Sequence, residues 1–187
     1  MSRIVVTAFM SLDGVMEAPE KWSFPYWNDT IERFKNEELQ ASDAQLLGRK
    51  TYEVFAEAWP SRTGLYADRL NQSHKYVVSS TLQQAPWNGS QVLEGGDHLD
   101  GQVQGLLARH KGDVLVHGSH ALVQSLVAQD LVDQYHLLVY PLVLGAGKRL
   151  FAGGARETLQ LERATDMGSG VVLLVYGRGH AKGASGN

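Results

Sequence analysis

The stretch that most constrains the fold spans residues 113–151 and predicts a strand, a tight turn, a helix and a second strand. Residues 114–116 form a short apolar run, as in a strand covered on both faces. Gly118 allows the backbone to turn sharply, and Ser119 is a candidate cap for the helix that follows. Residues 137–139 predict the next strand. A helix that begins directly after a strand presents unpaired N–H groups, which makes this turn a candidate phosphate site.

Two other predicted strands end in a similar way. Residues 43–47 precede a glycine that opens a helix with two cations and a hydroxyl, and residues 75–79 end in a run of hydroxyl side chains. In an open parallel sheet, ligands bind beyond the carboxyl ends of the strands. Helix N-termini, a guanidinium and hydroxyls at one edge suit a ligand with more than one phosphate. The residues placed there are Gly48, Arg49, Lys50, Thr51, Ser79, Ser80, Gly118 and Ser119.

The remaining segments predict an α/β chain. Strands are expected at residues 4–9 and 91–93, and helices at 28–40 and 99–109. Residues 157–164 and 171–176 are expected to form closing antiparallel strands. Strands that alternate with helices predict a mostly parallel central sheet covered on both faces. We therefore expect one domain over residues 1–177 and a disordered tail over residues 178–187.

Composition excludes several classes of function. The chain has 187 residues, a formal net charge of −3 and no basic run, which argues against nucleic acid and anionic membranes as partners. Cysteine is absent, so disulfides, thiol nucleophiles and cysteine-ligated zinc are excluded. No apolar stretch reaches the roughly 18 residues of a membrane span, and the start of the chain, Met1-Ser2-Arg3-Ile4, lacks a signal-peptide core. We expect a cytoplasmic protein, because nothing in the sequence directs it elsewhere.

An aromatic loop over residues 17–27 contains two prolines and four large aromatic residues. It could be a lid over the core or a flat slot for a planar ring, since aromatic walls suit such ligands. For the second role, Trp22, Phe24 and Trp27 are the candidate substrate-binding residues.

Standard catalytic motifs are missing. The Walker pattern, the G-x-G-x-x-G dinucleotide fingerprint and the G-x-S-x-G elbow are all absent. His117, His120 and His136 could in principle bind a metal, but they are scattered and no H-E-x-x-H motif accompanies them. We expect no metal site.

Five short motifs in order resemble the dihydrofolate reductase-like superfamily, and most closely the branch related to the C-terminal reductase domain of the bifunctional riboflavin-biosynthesis protein. The resemblance covers residues 4–176. Its marks are Ser11-Leu12-Asp13-Gly14, Leu47-Gly48-Arg49-Lys50-Thr51-Tyr52, Val77-Val78-Ser79-Ser80, Val116-His117-Gly118-Ser119, and the run from Leu131-Val132-Asp133-Gln134 to Pro141-Leu142-Val143-Leu144-Gly145-Ala146-Gly147. The resemblance implies a three-layer fold and a reductase that uses NADPH.

The resemblance also implies roles for individual residues. The segment 48–51 would hold the 2′-phosphate and pyrophosphate of NADPH, with Ser79 and Ser80 beside the adenosine phosphate. Gly118 and Ser119 would cradle the pyrophosphate. The residues implied near the nicotinamide are Ala8, Asp13, Leu144 and Gly145. The resembling branch is commonly dimeric, and we expect a homodimer built on the apolar C-terminal strands.

Two departures from the superfamily limit the choice of substrate. Dihydrofolate reductases place a carboxylate early in the first helix, whereas here Asp29 lies one residue away and Thr30 takes that position. Asp29 is the candidate proton donor. The chain also lacks a zinc deaminase half, so it would perform at most the reduction step. The alternatives are dihydrofolate reduction itself and, from another class, a non-catalytic nucleotide-binding protein.

Overall fold

The computed structural model describes residues 2–152 and 157–179, which form eight strands and five α-helices. In chain order these elements are β1 (Ile4–Ser11), α1 (Asp29–Ala41), β2 (Ser42–Gly48), α2 (Arg49–Ala58), α3 (Leu65–Gln72), β3 (His74–Val78), β4 (Ser90–Leu93), α4 (Leu99–Arg109), β5 (Asp113–Val116), α5 (His120–Ala128), β6 (Gln134–Tyr140), β7 (Leu159–Asp166) and β8 (Val172–Arg178). The aromatic loop contains two short 3₁₀ turns, Pro19–Lys21 and Phe24–Tyr26.

All eight strands belong to one sheet in the order β4-β3-β2-β5-β1-β6-β8-β7. The first six are parallel to their neighbours, and β8 and β7 are antiparallel. This arrangement confirms the predicted α/β class, with a mostly parallel sheet and antiparallel C-terminal strands. It also places the carboxyl ends of β3, β2, β5, β1 and β6 side by side at one edge.

Helices cover both faces of the sheet, because side chains alternate between the faces along each strand. On one face, Val6 and Val116 pack with α4 and α5 in the largest hydrophobic cluster. On the other face, Val5 and Leu115 pack with Leu39 of α1 and with residues of α2 and α3. The three layers follow from this alternation.

Most predicted elements are confirmed, with two corrections. Asn28, at the start of the helix predicted over residues 28–40, caps α1: its side-chain oxygen accepts hydrogen bonds from the N–H groups of Thr30 and Ile31, both at 3.0 Å. Ser119 occupies the N-cap position of α5, but its hydroxyl makes no capping hydrogen bond, contrary to expectation. Helix α3 was not predicted, since it is short and buries only Ala67 and Leu70.

The C-terminal boundary is only partly described. β8 includes Arg178, which bonds the carbonyl oxygens of Asp130 and Val132, so the first residue of the predicted tail is ordered in the sheet. Residues 180–187 lie outside the described residues. None of the described helices is both long enough and apolar enough to cross a membrane.

Candidate active site

The predicted cofactor-binding residues follow one line across four adjacent strands. In the register of the sheet, Gly48 is level with Val78, and Val116 is level with both Leu46 and Val6. The residues just beyond these positions therefore meet at the same edge of β3, β2, β5 and β1. With a strand spacing of about 4.8 Å, this line is roughly 14 Å long.

The two glycine junctions are in direct contact. The N–H of Gly48 donates to the carbonyl oxygen of Gly118 at 3.1 Å. A Cβ atom at Gly48 would lie 2.2 Å from Ser119 Oγ, and one at Gly118 would lie 3.3 Å from Thr51 Oγ1. Gly118 also has a φ of 117° and is joined to Ser119 by a cis peptide bond. Glycine is therefore required at position 48 by close approach and at 118 by its backbone conformation.

Helices α2 and α5 both begin at this contact. Within residues 2–152 and 157–179, no side chain caps either helix, so their first N–H groups are available to a ligand. Arg49 and Lys50 are exposed in the first turn of α2. Arg49 lies 3.6 Å from Glu53, and both side chains are about half exposed. This pair is weak, which leaves the guanidinium free to reorient toward an anion.

Ser79 and Ser80 follow β3, next to Arg49. The hydroxyl of Ser79 accepts hydrogen bonds from the N–H groups of Thr81 at 3.2 Å and Leu82 at 3.0 Å. Ser79 thus stabilises its own turn, as serine commonly does at a strand end. Ser80 is exposed and follows Ser79 at the same strand end.

Asp13 ties two loops together beyond β1 and β6. Its carboxylate accepts hydrogen bonds from Ser11 Oγ at 2.6 Å and from the N–H groups of Leu144 and Gly145 at 3.0 and 2.9 Å. The Ser11 hydroxyl and these N–H groups hold the pKa of Asp13 at about 2. Asp13 therefore fixes the 142–147 loop at the same edge where Ala8 lies.

The aromatic loop divides into a packed part and an exposed part. Trp22 and Tyr26 pack edge-on against the buried ring of Tyr140, at centroid distances of 5.4 and 5.8 Å. Phe24 is 66% exposed and Trp27 is 40% exposed, and Trp27 lies 6.2 Å from the ring of Phe9. The loop therefore covers the core with one set of rings and leaves Phe24 and Trp27 available to a ligand.

Asp29, the sequence-based candidate for the proton donor, is the first residue of α1 and is exposed. None of the described residues hydrogen-bonds to its side chain.

A buried polar row that the sequence did not reveal crosses the sheet under α1. Lys35 Nζ donates to Thr7 Oγ1 at 2.8 Å and also to Glu38 Oε2. Thr7 Oγ1 donates to the same carboxylate oxygen at 3.0 Å, and His136 Nδ1 contacts Glu38 Oε1 at 2.6 Å. Burial alone would raise the pKa of Glu38, but Lys35 and His136 together lower it to about 2. Glu38 is therefore an ionised carboxylate at neutral pH.

His117 extends this row toward β2. Its Nε2 lies 2.7 Å from Gln45 Oε1, and burial, with a contribution from the charge of Lys35, lowers its pKa to about 3. His117 is therefore neutral. Of the three candidate metal ligands, His117 and His136 are bound to Gln45 and Glu38, and no metal-binding group of three or more His, Cys, Asp or Glu residues occurs in the described part of the chain.

Comparisons with known proteins bear on the fold and the family of this chain. A relative from Bacillus subtilis (strain 168), the uncharacterized protein YyaP, is 26% identical over 183 residues, which cover 93% of this chain and 94% of YyaP. Among solved structures, a pyrimidine reductase-like protein from Corynebacterium diphtheriae superposes with a TM-score of 0.71 at 14% identity, covering 96% of this chain and 92% of that one. The dihydrofolate reductase of Enterococcus faecalis, complexed with NADP(H), gives a TM-score of 0.64 at 12% identity, with 95% and 97% covered.

These structural likenesses confirm the dihydrofolate reductase-like fold. The sequence also matches the family described as the RibD C-terminal domain over residues 2–173. The chain therefore belongs to the RibD C-terminal domain family, and membership of this reductase-domain family supports a reductase of the riboflavin-pathway type.

Proposed function

We propose that this member of the RibD C-terminal domain family transfers hydride from NADPH to a small planar heterocycle or carbonyl compound. The observation that carries the proposal is the contact between the junctions at Gly48 and Gly118, which brings two uncapped helix N-termini to one point. Such a point suits a pyrophosphate, because several N–H groups and two helix dipoles converge on it.

The residues at the sheet edge fit NADPH as a group. Thr51 and Ser119 add hydroxyls beside the glycines, and the flexible cations of Arg49 and Lys50 lie where an adenosine ribose phosphate could bind. No carboxylate occurs within residues 48–51 or 79–81, although NAD sites typically place one against the free ribose hydroxyl. When bound, the cofactor supplies the hydride, and the chain orients it.

The substrate would bind between the aromatic loop and the start of α1. Exposed Phe24 and Trp27 would stack on a planar ring, and Asp13 would hold the 142–147 loop beside it. A pyrimidine similar to the substrate of 5-amino-6-(5-phosphoribosylamino)uracil reductase fits the family. Dihydrofolate is the second choice, because Thr30 stands where a dihydrofolate reductase needs its carboxylate.

The remaining alternative is a nucleotide-binding protein without catalytic activity. Two measurements separate this alternative from the reductase. The first is a fluorescence titration of NADPH into the protein. The second follows NADPH oxidation with a panel of dihydropteridines, aminouracils, quinones and α-dicarbonyl compounds. We expect saturable NADPH binding and oxidation with at least one panel member. Binding without oxidation would favour the non-catalytic protein, and absence of binding would refute the cofactor assignment.

A further inference from the structure

The cluster of Thr7, Lys35, Glu38 and His136 has no role in the proposed function so far. It is buried under α1, with Lys35 and Glu38 each less than a tenth exposed. Its hydrogen bonds connect two cations and a hydroxyl to one carboxylate.

A contribution to folding stability does not by itself account for a buried charged cluster. Desolvation of buried charges commonly offsets their attraction, and apolar side chains of similar volume often stabilise a protein as well or better. The helix face around Lys35 is otherwise apolar, with Ile31 and Leu39 fully buried. A charged cluster within this face therefore indicates a chemical role.

Thr7 of the cluster immediately precedes Ala8, the residue expected beside the nicotinamide. The paired register of β1 and β5 ends at Val6 and Val116, so Thr7 and Ala8 follow this point on β1 as His117 and Gly118 follow it on β5. Thr7, the β1 member of the cluster, is therefore one residue before the sheet edge at which the cofactor is proposed to bind. Lys35 Nζ lies 5.8 Å from the ring centroid of Phe9, which in turn contacts Trp27 of the aromatic loop.

The hydrogen-bond pattern fixes the charge of His136. Its Nδ1 faces the Glu38 carboxylate, and its Nε2 lies 2.9 Å from Gln134 Oε1. The amide nitrogen of Gln134 donates to Glu162, so its oxygen is the group facing the imidazole. Both ring nitrogens therefore face acceptors, and both carry protons.

Apart from His136, the groups around Lys35 are unsuited to give up a proton. Glu38 is ionised, His117 is neutral, and burial raises the pKa of Tyr66, the nearby phenol of α3. Gln45 on β2 and Thr7 on β1 do not titrate. Lys35 and His136 remain as the groups of the cluster that carry a transferable proton. Of these, Lys35 Nζ is the one beside Phe9, whose ring packs near Trp27 of the aromatic loop.

We propose that Lys35 is the proton donor of the reduction, that Glu38 positions its ammonium group, and that His136 restores the proton. The proposal rests on the proposed reductase function. In the reaction, the C=X bond of the substrate, where X is oxygen or nitrogen, gains hydride at carbon and a proton at X. The N–H bond of Lys35 breaks and leaves a neutral amine, so one substrate, one NADPH and one proton give the reduced product and NADP⁺.

The route of proton return is through His136. Its side chain is 14% exposed, in contrast to 1% for Glu38, and it connects through Gln134 to Glu162 on exposed β7. His136 releases a proton through Glu38 to the Lys35 amine and recovers one from solvent. Asp29, at the exposed start of α1, has no comparable connection.

The test compares Lys35→Met and Lys35→Arg with the remote, exposed control Lys111→Met. Each variant is titrated with NADPH and assayed on the panel compound that the wild type reduces fastest. We expect both Lys35 variants to bind NADPH within about threefold of wild type but to lose at least about 100-fold in kcat. Arginine keeps the charge and the contact with Glu38, but it does not release its proton. Lys111→Met should match the wild type.

A second readout separates proton donation from packing. Turnover of Lys35→Ala should recover at least tenfold with added ethylammonium, which can occupy the vacated space. Near wild-type kcat in Lys35→Arg, or absence of rescue, would overturn the role of Lys35 while leaving the reductase assignment intact. Loss of NADPH binding in the wild type, or no oxidation with any panel compound, would instead refute the proposed function and the donor role with it.

Discussion

The choice of NADPH over NADH depends most directly on Arg49, and truncating this side chain tests it. The two cofactors differ by one phosphate on the adenosine ribose. Arg49 is the first residue of α2, beside the junction at Gly48 and next to the end of β3. Removing its guanidinium by Arg49→Ala should therefore affect the affinity for NADPH and leave the affinity for NADH nearly unchanged.

The expected magnitude follows from the contacts of Arg49. Its pairing with Glu53 at 3.6 Å, with both side chains about half exposed, contributes at most about 0.5 kcal/mol to folding. The folded structure should thus tolerate Arg49→Ala. A charge-assisted hydrogen bond to phosphate is worth about 1.5–3 kcal/mol, which corresponds to roughly 10- to 150-fold weaker NADPH binding.

The assay is a titration of NADPH and NADH into the wild type, Arg49→Ala and Glu53→Gln. Glu53→Gln is the matched control, because it breaks the same ion pair but keeps the guanidinium. We expect it to leave NADPH affinity unchanged or to strengthen it slightly. Equal losses for both cofactors in Arg49→Ala, or no loss for either, would refute the reasoning. A loss in Glu53→Gln equal to that in Arg49→Ala would show that Arg49 acts through its partner on the helix.

Three further predictions concern stability and assembly. Lys75 is 0% exposed and donates to the carbonyl oxygens of Leu70, Asn71 and Ser73 at 2.8–3.1 Å, so Lys75→Met should lower the free energy of unfolding in urea by about 3 kcal/mol. The pKa of His117 in the folded protein, about 3, lies below its ordinary 6.5, so the unfolded chain binds this proton first as the pH falls. The free energy of unfolding should therefore decrease by about 1 kcal/mol per pH unit between pH 6.5 and pH 3. This slope should be shallower in His117→Gln. Edge strand β7 exposes Leu161, and we expect light scattering at micromolar concentration to show a homodimer. An unchanged urea midpoint, an equal pH slope or a monomer would contradict each prediction in turn.

Local chemistry explains why the sheet edge could be predicted from the sequence. A glycine between an apolar run and a helix signals a turn without any knowledge of the rest of the fold. Gly48 and Gly118 both carried this signal, and the parallel sheet then placed them at one edge. The direct contact between Gly48 and Ser119 could not be predicted, because it depends on β2 and β5 being neighbours.

The buried polar row gave no comparable signal. Thr7 interrupts the apolar run of the strand predicted over residues 4–9, and His136 immediately precedes the strand predicted over residues 137–139. A single polar residue in or beside such a run is also common at a strand surface. Lys35 and Glu38 belong to a helix rich in charged residues, where most side chains are solvated. Only the three-dimensional arrangement shows that these four residues face one another, since Glu38 and His136, which are in direct contact, lie 98 residues apart in the sequence.

Strand register connects the two parts of the candidate site, and Asp133 holds that register. The N–H of Ile4 donates to the carboxylate of Asp133 at 2.8 Å, and the N–H of Asp133 donates to the carbonyl oxygen of Ile4 at 2.9 Å. Three residues further along each parallel strand, Thr7 is level with His136. A slip of one residue would turn a strand's side chains to the opposite face of the sheet. By fixing Ile4 against the start of β6, Asp133 keeps Thr7 and His136 on the α1 face, where both can reach Glu38, and keeps Ala8 at the edge beside Gly118.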